Sequence, residues 1–187
     1  EGVTRRFVPL PDPKRLLALC TAWPNFREVL LLVAGHAALQ GSGGAAPAPL
    51  PPLLLVGPPG IGKTSFASAL AQVLGVPHRI LPMSSLTAGF GLAGLDRGWS
   101  TGRPGELFDL LRRHDAANPL LVLDEIDKSN DDPKSSPLGP LYQLLEPATA
   151  SAFVDEYVGV PMDAHQVGWV ATANDETAVP PALLSRL

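Results

Sequence analysis

The sequence contains one cysteine, no long apolar run and no concentration of basic residues, and each shortage excludes a class of protein. With Cys20 alone, neither an internal disulfide nor a cysteine-based zinc site can form, so a reducing compartment is expected. The longest apolar stretch, around residues 29–39, is interrupted by His36, whereas a membrane span needs about 20 apolar residues. A formal net charge of −4 without a basic stripe argues against a nucleic-acid partner. No apolar signal-peptide segment follows the first residues, so we expect a cytoplasmic domain.

The composition is that of a globular protein, with 187 residues of which 45% are hydrophobic and 17% charged. Residues 1–50 are predicted to form an N-terminal helical segment followed by a Gly/Pro/Ala-rich linker at 41–49. Within that segment we predict a helix over residues 14–21 and a longer one that Asn25 caps and that runs to about residue 40. Residues 51–187 are predicted to form a single α/β domain.

Short apolar runs alternate with helical stretches in the second part of the chain. Runs without polar alternation at residues 53–56, 120–123 and 167–171, with a weaker one at 79–81, are typical of strands buried on both faces. Helical stretches are predicted at residues 62–74, 104–115, 137–146 and 180–187. This order predicts a parallel sheet with helices on both faces, in which ligands bind at the carboxyl ends of the strands.

The first apolar run is followed by a complete GxxxxGK[ST] motif, the signature of a P-loop NTPase. Glycines let the backbone turn and aim its N–H groups at phosphate oxygens, and the start of the following helix adds partial positive charge. Lys63 is predicted to contact the β- and γ-phosphates, and the Thr64 hydroxyl to ligate Mg²⁺. The residues predicted to bind the nucleotide are Gly57, Pro58, Pro59, Gly60, Ile61, Gly62, Lys63, Thr64, Ser65 and Asp124.

Two carboxylates end the buried run at residues 120–123, where an unpaired charge would be destabilising without a function. Asp124 is predicted to hold Mg²⁺ directly or through water, as a Walker-B aspartate does. Glu125 is one residue further on and is predicted to act as general base on a water in line with the γ-phosphate. For Asp127 and Lys128 we expect solvated charges in a turn.

Two more residues have two open interpretations each, and a third has no role assigned by its spacing. Asn174 follows the last apolar run, where it either turns the chain or contacts the γ-phosphate and the attacking water. Trp99 lies in a glycine-rich stretch, where it either forms a contact surface or folds onto its own loop. Arg186 lies on a short helix, and its spacing alone assigns it no role.

Taken together, these motifs over about residues 53–187 resemble the ATPase module of AAA+ proteins, in its large nucleotide-binding subdomain. Within AAA+, the segment from Gly98 onward is similar to the ATPase domain of Lon proteases. The similarity is carried by GRPG at 102–105, LDEIDK at 123–128, LLEPATASAFVDEY at 144–157 and ATAN at 171–174.

This resemblance implies an ATPase that uses ATP/ADP and Mg²⁺ and assembles into a ring, expected to be a hexamer, that acts on polypeptide substrates. It implies that Asn174 is the sensor-1 residue and that Arg186 is the arginine finger for ATP bound by the neighbouring subunit. Trp99 corresponds to the aromatic residue of the first pore loop, although Ser100 and Thr101 depart from the family's aliphatic residue and glycine. The segment at residues 23–26 falls where AAA+ proteins contact adenine.

The resemblance also predicts what this stretch does not include. The small helical lid with its sensor-2 arginine and a Ser-Lys peptidase are not found in these residues, so we expect a fragment of a longer protein without protease activity of its own. Two alternatives are an AAA+ nucleic-acid motor or loader, which the acidic balance disfavours, and a nucleotide-gated scaffold. The pair of Asp124 and Glu125 argues against the scaffold, because a switch that never hydrolyses needs no general base.

Overall fold

The computed structural model describes residues 4–41, 48–86, 89–129 and 136–187. Most of the predicted linker, residues 42–47, lies outside the described residues. The strands in the described part are β1 (Leu53–Val56), β2 (His78–Pro82), β3 (Leu120–Asp124), β4 (Phe153–Val154), β5 (Pro161–Met162) and β6 (Gly168–Ala173). The helices there are α1 (Pro13–Ala18), α2 (Arg27–Gly41), α3 (Lys63–Leu74), α4 (Phe90–Ala93), α5 (Glu106–Arg113), α6 (Leu141–Leu144), α7 (Pro147–Ala150) and α8 (Pro181–Leu184). Across the described residues, no helix has the length and apolar character needed to cross a membrane.

Four of the strands form one parallel sheet in the order β1-β6-β3-β2. All four strands come from the four predicted apolar runs, and the parallel sheet is confirmed. The strand β6 lies between β1 and β3 although it is the last in sequence, so the loops after β1, β3 and β6 meet at one edge. The other two strands, β4 and β5, form an antiparallel hairpin that the sequence patterns did not predict.

Two apolar cores cover the two faces of the sheet. Along β3, Leu120 and Val122 pack with residues of α1, α2 and α3, whereas Leu121 and Leu123 pack on the opposite side with residues of α5 and α6. This alternation explains why the strand reads as a continuous apolar run. Helices on both faces are therefore confirmed.

The N-terminal segment packs against the sheet domain through α3. Leu16, Leu30 and Val33 belong to the same core as Phe66 and Leu70 of α3. The prediction that Asn25 caps α2 is wrong, because Asn25 lies in a 3-10 turn at Pro24–Phe26 and its side-chain amide donates to Ile61 O at 3.1 Å. The helix predicted at residues 137–146 is shorter than expected, with regular helix only at Leu141–Leu144.

Candidate nucleotide-binding site

The loop between β1 and α3 has a backbone shape that depends on glycine. Gly60 has φ +83° and Gly62 has φ +91°, a left-handed region that other residues rarely adopt. Among the described residues, no side chain caps the N-terminus of α3, so its first-turn N–H groups remain available to an anion. Gly57 N donates to Ala173 O at 3.2 Å, which fixes the start of this loop to the end of β6.

The ammonium of Lys63 lies inside the curve of this loop. Its Nζ donates to Gly57 O at 2.6 Å, to Pro58 O at 3.1 Å and to Asn174 Oδ1 at 2.9 Å, and the residue is buried. A buried cation needs such partners, because burial of an unpaired charge is strongly unfavourable. The structure thus brings together Lys63 and Asn174, which are 111 residues apart in the sequence.

A second cluster joins the start of α3 to the ends of β3 and β6. Thr64 Oγ1 donates to Asp124 Oδ1 at 2.6 Å, and Thr172 Oγ1 donates to the same carboxylate oxygen at 2.7 Å. Glu125 N in turn donates to Thr172 Oγ1 at 2.9 Å. Thr172 was not predicted as a site residue; the signal was a hydroxyl within an otherwise apolar strand whose six residues are all buried.

Glu125 has a strained backbone and a charged partner. Its φ of +56° makes it the non-glycine residue with positive φ in the described part of the chain, and such strain is typical of functional sites. Its carboxylate forms an ion pair with Lys128, which lowers the pKa of Glu125, with a smaller contribution from the Ser84 hydroxyl. The Glu125 side chain therefore stays ionised, and it is 39% exposed.

The expectation of a solvated turn charge is confirmed for Lys128 and wrong for Asp127. Lys128 is exposed but pairs with Glu125. Asp127 is half-buried, and its Oδ2 accepts hydrogen bonds from Asn174 N at 3.0 Å and Asp175 N at 3.4 Å. Asp127 therefore fixes the backbone from which the Asn174 amide reaches Lys63.

These groups surround one cavity of about 310 Å³ at the carboxyl edge of the sheet. It is lined by Pro59, Gly60, Gly62, Lys63, Thr64, Ser65, Asp124, Glu125, Thr172 and Asn174. Most of the predicted nucleotide-binding residues therefore lie together. Gly57 and Pro58 contact the cluster through their carbonyl groups on Lys63.

The segment at residues 23–26 lies against the same loop. A Cβ atom on Gly62 would lie 2.9 Å from the Trp23 ring, and Asn25 bonds to Ile61 O. Phe26 stacks on Phe66 of α3 with ring centroids 4.2 Å apart, which fixes the position of this segment.

Arg186 and Trp99 lie apart from these cavity-lining residues. Arg186 lies two residues beyond the end of α8, so the expectation that it lies on this helix is wrong. Its guanidinium donates to Ala182 O and lies 5.7 Å from the centre of the Tyr142 ring. Trp99 is 67% exposed in a loop closed by an antiparallel bridge between Leu95 and Arg103, so it does not fold onto its own loop. A larger cavity of about 820 Å³ lies beside Trp99, between α4 and the β4–β5 hairpin.

Comparison with known proteins agrees with this geometry. Residues 53–187 match the family model described as ATPase family associated with various cellular activities (AAA). The peroxisomal Lon protease homolog 2 of Arabidopsis thaliana is 40% identical over 137 residues, which cover 73% of this chain and 15% of that protein. The Lon protease of Dictyoglomus thermophilum is 38% identical over 137 residues, which cover 73% of this chain and 17% of that protein. The chain thus spans less than a fifth of the length of these relatives, and the predicted similarity to Lon proteases is confirmed.

A solved structure has the same fold. A closed-state cryo-EM reconstruction of Hsp104:ATPyS and FITC casein superposes with a TM-score of 0.72 and 19% sequence identity, covering 92% of this chain and 34% of that one. The family match covers most of the chain, and the sheet order places its motifs around one cavity. The chain therefore belongs to the AAA family of ATPases.

Proposed function

We propose that this chain binds ATP in the 310 Å³ cavity and hydrolyses it with the help of Mg²⁺. The observation that carries the proposal is the convergence of Lys63, Thr64, Asp124 and Asn174 on one space beside an uncapped helix N-terminus. These residues come from the start of α3, the end of β3 and the residue after β6. Backbone N–H groups at such a helix start bind phosphate oxygens, and Lys63 supplies the balancing positive charge.

The oxygen atoms at this site fit a magnesium ion. The Thr64 hydroxyl and the Asp124 carboxylate are hard oxygen ligands, and they lie within 2.6 Å of each other at the base of the cavity. When bound, the ion neutralises part of the charge on the phosphates. Thr172 orients the Asp124 carboxylate through its own hydrogen bond to Oδ1.

Glu125 is proposed as the general base and Asn174 as the residue that orients the attacking water. The lowered pKa of Glu125 keeps it ionised and ready to accept a proton, and Lys128 holds it near the cavity. Asn174 is held from both sides, by Lys63 at its side chain and by Asp127 at its backbone.

The test of this site uses the full-length protein and two variants with different expected failures. Lys63→Ala should abolish ATP binding, whereas Glu125→Gln should retain binding and stop turnover, because it removes only the proton acceptor. Binding is measured by calorimetry and turnover by phosphate release. Unchanged ATP affinity in the first variant, or normal turnover in the second, contradicts the assignment.

Arg186 is proposed to act on ATP bound by a neighbouring subunit of a ring, expected to be a hexamer. Its position outside the cavity of its own chain fits action in trans. Mixing Lys63→Ala subunits with Arg186→Ala subunits tests this, since some interfaces then combine an intact phosphate loop with an intact arginine. Hydrolysis should reappear in the mixture; if it does not, Arg186 is not a trans-acting residue.

The proposed substrate is unfolded polypeptide, which the exposed Trp99 contacts. The proposed location of the protein is the cytoplasm. The support is the similarity to Lon proteases and the exposure of a large aromatic residue on a structured loop. ATP hydrolysis by the full-length protein should rise with an unfolded polypeptide, and Trp99→Ala should remove the rise while the basal rate stays. A rise with DNA alone would instead favour a nucleic-acid motor.

A further inference from the structure

Asp155 is a completely buried carboxylate that lies outside the nucleotide site. It directly follows β4, and no side-chain cation of the described residues pairs with it. Three backbone N–H groups donate to it instead: Gly105 to Oδ2 at 2.8 Å, and Tyr157 and Val158 to Oδ1 at 3.0 Å each. A buried polar group is strongly unfavourable without such bonds, so these three donors hold the Asp155 side chain in place.

The Asp155 carboxylate contacts both ends of the loop that carries Trp99, here called the Trp99 loop (residues 94–105). At its C-terminal end Gly105 donates to Asp155. At its N-terminal end a Cβ atom on Gly94 would lie 2.5 Å from Asp155 Oδ1, and Gly94 has φ +85°. Gly94 is therefore required both for its backbone conformation and for the space that the carboxylate occupies.

A second set of contacts joins the same two segments at the surface. Glu156 N donates to Ala93 O at 2.8 Å, directly before the Trp99 loop. The exposed Arg97 guanidinium donates to Tyr157 O at 2.5 Å and to Val158 O at 3.3 Å, and it lies 5.1 Å from the centre of the Tyr157 ring. The Trp99 loop is thus bound to the β4–β5 hairpin (residues 153–162) from the inside and from the outside.

We infer that Asp155 is a positioning residue that fastens the Trp99 loop to the β4–β5 hairpin, so that the two segments behave as one mechanical unit. An isolated glycine-rich loop would be displaced when a bound polypeptide exerts force on its tryptophan. A loop fixed at both ends instead transmits that force to the hairpin. This inference rests on the proposed contact of Trp99 with polypeptide, and its first test does not depend on that contact.

The selective variant is Asp155→Asn. The remaining Oδ1 can still accept from Tyr157 and Val158 within the hairpin, while the new Nδ2 faces the Gly105 N–H, donor against donor. Of the three hydrogen bonds to Asp155, only the one from the Trp99 loop is lost. Arg97→Ala removes the outer contact from the loop side, and because Arg97 is exposed this variant carries little risk to folding.

The first measurement is amide hydrogen exchange by mass spectrometry on the full-length protein. In Asp155→Asn, exchange in the Trp99 loop should speed up about tenfold or more, and in Arg97→Ala exchange in residues 153–160 should speed up as well. Arg103→Ala is the matched control, since Arg103 is an exposed residue of the same loop whose side chain forms no hydrogen bond or ion pair among the described residues. Faster exchange confined to the mutated segment would overturn the inference.

The second measurement is polypeptide-stimulated ATP hydrolysis by the full-length protein, with unfolded casein as the polypeptide. Asp155→Asn should raise the polypeptide concentration needed for half-maximal stimulation severalfold and leave basal hydrolysis unchanged. In a Trp99→Ala background it should add nothing, because it acts through Trp99. If Trp99→Ala impairs stimulation and Asp155→Asn does not, the positioning role is refuted. Trp99→Ala could leave the stimulation by polypeptide unchanged while each variant still speeds up hydrogen exchange in the other segment. In that case Asp155 still fastens the loop to the hairpin, and the proposed role of Trp99 is wrong.

Discussion

Replacing Thr172 by valine tests how the two acidic residues of the candidate site are held. The Thr172 hydroxyl donates to Asp124 Oδ1 and accepts from Glu125 N, and only 1% of the residue is exposed. Valine has the same shape, so the change removes both hydrogen bonds without opening a cavity. It also leaves the Glu125 N–H, which stabilises a strained backbone, without its acceptor.

The expected loss of stability follows from three contributions. The bond to the Asp124 carboxylate is charge-assisted and contributes about 2 kcal/mol. The bond from Glu125 N contributes about 1 kcal/mol to stability. Burial of the additional methyl group of valine offsets about 0.8 kcal/mol of the loss. The net destabilisation is about 2 kcal/mol, which lowers the Tm of a domain of this size by about 4–8 °C.

Urea unfolding followed by circular dichroism measures this loss, with Thr172→Ser as the control that keeps the hydroxyl. The serine variant should lose only about 1 kcal/mol of stability, for the buried methyl group that it lacks, and should keep the turnover of the parent chain. The valine variant should also hydrolyse ATP more slowly, since Asp124 and Glu125 lose their common support. A valine variant as stable and as active as the serine variant would refute the reasoning.

Two further predictions concern the surroundings of the site. Lys128 lowers the pKa of Glu125 below its ordinary value of 4.5, so the stabilising pair is lost only as the pH falls through the lowered pKa. In Lys128→Met the acid limb of the pH profile of kcat should therefore move to higher pH, while Lys128→Arg should keep it in place. Phe26→Ala should destabilise the chain by about 3 kcal/mol, because Phe26 is buried and stacks on Phe66. Urea unfolding measures it, and an alanine variant as stable as Phe26→Leu would contradict the packing argument.

Sequence patterns predicted the site residues that belong to one short motif between a strand and a helix. The phosphate loop follows a buried strand and starts a helix, so Lys63 and Thr64 could be assigned from spacing alone. The same holds for Asp124 at the end of β3. The two central strands, β3 and β6, could be predicted because a strand buried on both faces has no polar alternation, whereas β2 at the edge of the sheet is largely exposed and gives the weaker pattern.

The residues that were missed depend on strand order and register. Pairing of Leu123 with Ala171 brings Asp124 beside Thr172, although 48 residues separate the two in the sequence. No local pattern states that β6 inserts between β1 and β3, so Thr172 could not be predicted as a partner of Asp124. Asp155 was missed for a similar reason, because its partner Gly105 lies 50 residues away on another loop.

The polar groups proposed to contact the nucleotide already form hydrogen bonds or ion pairs within the protein. These bonds affect how strongly each variant should change ATP affinity and turnover. The Lys63 ammonium bonds to two loop carbonyls and Asn174, the Thr64 hydroxyl bonds to Asp124, and Glu125 pairs with Lys128. A nucleotide that engages these groups exchanges one set of hydrogen bonds for another, so its affinity is the difference between them. Losing a group that contacts the nucleotide more strongly in the transition state than in the bound substrate must therefore affect turnover more than affinity. Asn174→Ala should therefore lower the rate of ATP turnover more than the affinity for ATP. In the chain without nucleotide the Asn174 amide already bonds to Lys63, so its contact with the γ-phosphate adds little net binding energy.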